Sequence, residues 1–123
     1  MNDLTKLIER LENATGPDRG LGREVLLACG WRTYGVGCFI GPLIQWHSPD
    51  QNTTFGDDDF YRHDPTSSID AALTLVEGRL WKAGVSADGT GYARVGPPRI
   101  YEGKTPAIAL CIGALRARAS NSD

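Results

Sequence analysis

Cysteine is scarce in this chain. Cys29, Cys38 and Cys111 are odd in number and widely spaced among 123 residues. That excludes the disulfide framework of small secreted domains and fits buried thiols in a reducing compartment. No long hydrophobic run occurs either. The most apolar stretch, Pro106 to Leu115, is too short to span a bilayer. Neither sign of charge dominates: 13 Lys and Arg stand against 15 Asp and Glu, for a net charge of -2. Nothing global therefore draws the chain to nucleic acid or to an anionic membrane. The start, MNDLTKLIERLE, lacks the apolar core and small-residue cleavage site of a secretory signal. A cytoplasmic location without membrane association is the expectation. No catalytic or cofactor signature is present, so no cofactor is expected and no activity can be read from motifs.

What is there is the makeup of an ordinary folded domain. Apolar residues are 41% and charged residues 23% of the chain. A chain of this length forms one domain with one core. The domain is expected over 1–118, with 119–123 as a frayed tail. Leu4, Leu7, Ile8 and Leu11 follow helical spacing, and Gly16-Pro17 closes that helix. A second helix is expected from Asp18, with Leu21, Val25 and Leu26 on its buried side and Gly30 at its end. From Trp31 to His47 the residues favour strands, most firmly over Leu43–Trp46. Ser48 to Pro65 reads as a long polar loop, part of which Phe55, Phe60 and Tyr61 should pin down. Ser67 as cap, with Asp70 three residues on, opens a third helix. Trp81–Val85 and the segment around Ala93 and Val95 alternate about Asp88-Gly89, which predicts a hairpin. Thr105-Pro106 opens a last helix that is apolar on nearly every side.

The expected order is α-α-β-β-α-β-β-α. Stripe-bearing helices and strands must cover one another's apolar faces. The expected fold class is therefore α/β in the broad sense (α+β), as a three-layer α/β/α sandwich around a sheet of three or four strands. The greasy last helix also leaves room for a homo-oligomer, though burial within one domain is the simpler account.

Three stretches resemble small phage and prophage proteins of the phage ABA sandwich domain family, whose function is unknown. They are Leu4 to Arg19, Ser68-Ile69-Asp70-Ala71-Ala72-Leu73, and Thr105-Pro106-Ala107-Ile108-Ala109-Leu110-Cys111. Gly30 to Pro65 has no counterpart. The resemblance implies the sandwich fold, a phage or prophage origin and a place in the bacterial host's cytoplasm. It implies no activity and carries no catalytic residues.

Four constellations remain to be weighed. His47 and His63 with Asp57-Asp58-Asp59 and Asp64 offer metal-ligand types, but at no known zinc or calcium spacing. Cys38 and His47 suggest a thiol and its base, although a small Cys in an apolar Gly-rich stretch is usually just buried. Gly35, Gly37 and Gly41 miss the dinucleotide spacing by one residue, and no Walker lysine follows. A twisted or bulged strand explains those glycines better. Last, Arg79, Trp81, Lys82, Tyr92, Arg94 and Arg99 gather basic and aromatic residues around the predicted hairpin, with Tyr101 and Lys104 beside them. Such a surface can hold phosphates or another small anionic ligand and stack bases. It is the first choice for a binding surface. The expected function is a non-enzymatic accessory protein that binds a host or phage macromolecule. A binder of a small nucleotide-type anion is the alternative, and a metal-dependent enzyme comes third.

Overall fold

The computed structural model describes residues 3–36, 43–76, 81–95 and 100–120. Helix α1 is Asp3–Glu12. Leu7, Ile8 and Leu11 share one face of it and are buried, with Leu4 packed partly behind them. Helix α2 is Arg19–Ala28, and Asp18 Oδ1 caps it by accepting from the Leu21 N–H at 3.0 Å. Its buried side is Leu21, Val25 and Leu26. Gly30 ends the helix at φ +100, a conformation that costs glycine nothing.

The first sheet is antiparallel, in the order β1 (Arg32–Val36), β2 (Leu43–His47), β3 (Thr54–Gly56). Trp46 lies at its centre, opposite Thr33 on one side and Phe55 on the other. It stacks on Phe55 at 6.1 Å between ring centres. A 3-10 helix, Asp57–Arg62, follows β3 and brings Phe60 within 5.3 Å of Trp46. Ser48 to Pro65 is thus not a structureless loop. Phe55 and Phe60 anchor it as expected, whereas Tyr61 points out and is 56% exposed. β1 pairs with β2 residue for residue, so Gly35 marks no bulge. Gly37, Cys38 and Gly41 lie outside the described residues.

Helix α3 is Ile69–Leu73 and tightens into a 3-10 turn over Thr74–Val76. Its cap is Ser68, not Ser67. Ser68 Oγ accepts from the Ala71 N–H at 3.2 Å, while the Ser67 hydroxyl donates to Asp64 O. The second sheet is also antiparallel, in the order β4 (Trp81–Val85), β5 (Gly91–Val95), β6 (Ile100–Gly103). The β4–β5 hairpin turns where expected, with Gly89 at φ +90 and Ser86 N–H bonded to Thr90 O at 2.8 Å.

Helix α4, Pro106–Ser120, is the centre of the molecule. Thr105 Oγ1 caps it by accepting from the Ile108 N–H. Every residue from Ala107 to Leu115 is buried. One side packs on β4, β5 and β6, and the others meet α1, α2 and α3. That explains why the helix has no polar side: burying one Leu or Ile contributes about 1.5–3 kcal/mol, and here no face meets water. The approach to the sheet is close. A Cβ on Gly91 would stand 2.1 Å from the Thr105 carbonyl carbon, and one on Gly113 2.6 Å from a Val95 methyl.

The mixed helix–strand class is the expected one. The strands are differently distributed, in two three-stranded sheets rather than one sheet of three or four. β3 and β6 are additions to the expected order, and the apolar last helix occupies the middle layer. α4 runs on to Ser120, past the expected end at Arg118. No described helix is long and apolar enough to cross a membrane.

Candidate functional site

The second sheet has a covered face and an open one. Alternation along the strands decides which residue goes where. Ala93 and Val95 are buried towards α4, and Tyr101 packs partly against the same core. The open face carries Lys82, Gly84, Tyr92, Arg94, Ile100 and Glu102. Lys82 stands directly opposite Arg94, Gly84 opposite Tyr92, and Ile100 and Glu102 extend those two rows on β6. Lys82, Arg94 and Glu102 are exposed, and Ile100 is 63% exposed.

The local chemistry follows from the pairing. A Cβ on Gly84 would sit 2.7 Å from the Tyr92 hydroxyl oxygen, so the phenol ring lies across the glycine. Two cations face each other beside that ring. Like charges directly opposite on a sheet disfavour the pairing rather than stabilise it. Among the described residues neither cation forms an ion pair. Of the six hairpin residues read from the sequence, the structure therefore brings Lys82, Tyr92 and Arg94 together. Trp81 pairs with Val95 in the ladder, and its side chain is not among those described. Arg79 and Arg99 lie outside the described residues.

The edge beside this face is also open. β6 has β5 on one side only, and its backbone makes no other bond among the described residues. A broad groove of about 900 Å³ runs along it, bordered by the hairpin turn and by the ends of α1 and α4. Lys104 lines the groove, and the Glu12–Arg116 ion pair at 3.1 Å lies on its helical side.

Among the described residues the histidines and carboxylates meet at one point, where His63 Nε2 lies 3.9 Å from Asp59 Oδ2. His47 meets the edge of Tyr34 at 4.7 Å. His63 stacks flat on Phe55 at 3.9 Å. Asp64 is buried and accepts from the Thr66 N–H and hydroxyl at 3.0 and 2.7 Å. Asp57 accepts from Trp46 Nε1 and from the Arg23 guanidinium. Those bonds hold its carboxyl below the usual range, the indole bond most of all. Among the described residues no three His, Cys, Asp or Glu are grouped to hold a metal ion.

A second, more enclosed cavity of about 310 Å³ lies where α2 ends, between the β2–β3 turn, α3 and the last turns of α4. Trp31, His63, Leu75 and Arg118 line it. The sequence gives little sign of it, because its lining is drawn from residues as far apart as Leu26 and Arg118. Cys29 also borders it. Burial pushes the Cys29 thiol up, and the Arg118 guanidinium partly offsets that. Cys111 is fully enclosed and pushed higher still by its burial.

No family model matches the chain, and no curated protein or solved structure was found similar to it.

Proposed function

We propose that the protein is a non-enzymatic binding module that uses the open face of its second sheet to hold an acidic patch on another macromolecule. One observation carries this reading: Lys82 and Arg94 are juxtaposed on an exposed face with no carboxylate paired to either among the described residues. A fold gains nothing from that arrangement, whereas a partner carboxylate between the two cations would relieve it. Tyr92 and Ile100 add the aromatic and apolar area that anchors interfaces. The net charge of -2 favours a protein partner over nucleic acid. A phage or prophage origin, with action in the bacterial cytoplasm, belongs to the same proposal and rests on the sequence resemblance.

Affinity capture from host lysate, with the wild type beside a Lys82→Glu/Arg94→Glu variant, tests the reading. A specific protein recovered by the wild type and lost from the folded variant is the expected result. Equal recovery by both, or no specific partner across several hosts, overturns it. A nucleotide-type anion is the second reading, favoured by the Tyr92 ring lying across Gly84 in the row next to Lys82 and Arg94. Native mass spectrometry of freshly purified protein would then show a bound nucleotide.

A further inference from the structure

Arg118 reaches back from the end of α4 to the end of α2. Its Nη2 donates to the Cys29 carbonyl oxygen at 2.8 Å, which fixes the guanidinium at the wall of the 310 Å³ cavity. Among the described residues it has no carboxylate partner. A guanidinium has five N–H donors in a rigid fork. With one held by Cys29, the remainder suit bidentate binding of a carboxylate or a phosphate.

The rest of the lining is mixed: Leu26, Trp31 and Leu75 form its apolar side, and Ser48, Thr53, His63 and Thr74 its polar one. Trp31 is 7% exposed, Leu75 9% and Leu26 1%. A volume of about 310 Å³ sits at the small end of the range of roughly 300–1,000 Å³ for ligand pockets. The rim is fixed by Asp50, which accepts from the Ser48 hydroxyl at 2.6 Å and the Asn52 N–H at 3.0 Å. Those bonds keep Asp50 ionised. A rim carboxylate disfavours a doubly charged guest such as phosphate and tolerates a single charge placed on the guanidinium.

We propose that this cavity binds a small organic carboxylate with a flat apolar body, its carboxylate on Arg118 and its body against Trp31 and Leu75. The site is separate from the sheet surface, so either can fail without the other.

Benzoate is the probe, titrated into the full chain and followed by ligand-observed NMR. Saturable binding at millimolar concentration is expected for the wild type. Arg118→Gln should weaken it by at least about tenfold, the loss of one charge-assisted bond. Ala71→Leu intrudes on the cavity without replacing Arg118 and should weaken it too. Arg116→Gln removes a cation on the other side of α4 that pairs with Glu12, and this variant should bind as the wild type does. No saturation by the wild type, undiminished binding by folded Arg118→Gln, or equal loss in Arg116→Gln overturns the proposal. If Arg118→Gln does not fold, Ala71→Leu decides, and full binding there overturns it. Inorganic phosphate competing as well as benzoate would overturn the ligand class.

Discussion

Trp46 Nε1 donates to Asp57 Oδ1 at 2.9 Å and so ties the central strand of the first sheet to the 3-10 helix beyond it. The same carboxylate takes two bonds from Arg23 Nη2, at 3.1 and 3.0 Å, from α2. Three elements therefore meet at one acid. Asp57 titrates lower in the fold than in the unfolded chain. Its stabilisation is complete at neutral pH and fades as pH falls below about 4 towards the lowered folded value. Asp57→Asn should cost about 1 kcal/mol at pH 7 after allowance for its partial exposure. Urea unfolding of both proteins from neutral to acid pH should show that gap closing in acid. A gap independent of pH would contradict the role given to the charge.

Lys82 and Arg94 lead to a prediction of opposite sign. Lys82→Glu replaces a like-charge pair with an opposite one across the hairpin. Stability should rise by up to about 0.5 kcal/mol, read as a higher urea midpoint with an unchanged slope. Partner recovery should fall in the same variant. Stability and binding that move together would mean the cations serve the fold.

Gly91 and Gly35 separate close packing from mere backbone freedom. A Cβ on Gly91 meets the Thr105 and Pro106 backbone within 2.4 Å, and backbone cannot swing aside. Gly91→Ala should lose about 3 kcal/mol or fail to accumulate as folded protein. Gly35 has nothing within 4 Å of its would-be Cβ. Gly35→Ala should stay within about 0.5 kcal/mol of the wild type. Thermal unfolding of the pair measures both.

The buried thiols should be chemically silent. Cys29 is 1% and Cys111 0% exposed, and burial raises both above the ordinary thiol range. Alkylation requires the thiolate. Iodoacetamide labelling followed by peptide mass spectrometry should leave both unmodified in the native protein and modify both after denaturation. Labelling of Cys111 at native pH would place α4 elsewhere than in the middle layer.

The helices were legible because each carries its own signal. Leu7, Ile8 and Leu11 repeat at helical spacing, Asp18 and Thr105 announce starts, and Gly30 announces an end. The hairpin was legible from Asp88-Gly89 between alternating runs. β3 and β6 were not. β3 is three residues with one buried side chain, Phe55, and exists because β2 offers it an edge. β6 is four residues long, places Ile100 outward and has a glycine at one of its two inward positions, so it carries little of the usual apolar-in, polar-out pattern. Asp57-Asp58-Asp59 reads as loop by composition, yet acids suit the first turn of a helix. The cap shifted from Ser67 to Ser68 because the Asp64 carbonyl engages both serine N–H groups. For the site, the register that joins Lys82, Tyr92 and Arg94 follows from the hairpin alone. The Arg118 cavity does not, since it joins residues 26 to 118, which only the finished fold brings together.

The position of α4 governs the order in which the molecule can be built. Ribosomes make the two sheets and three helices first, yet the wall that covers the second sheet and the helices is encoded after residue 105. Until that stretch emerges, the inner side of the hairpin and the greasy stripe of α1 have nothing to rest on, and they are open to whatever sticky surface is nearby. Premature termination before Pro106 should therefore yield an aggregate or a chaperone client rather than a smaller working protein.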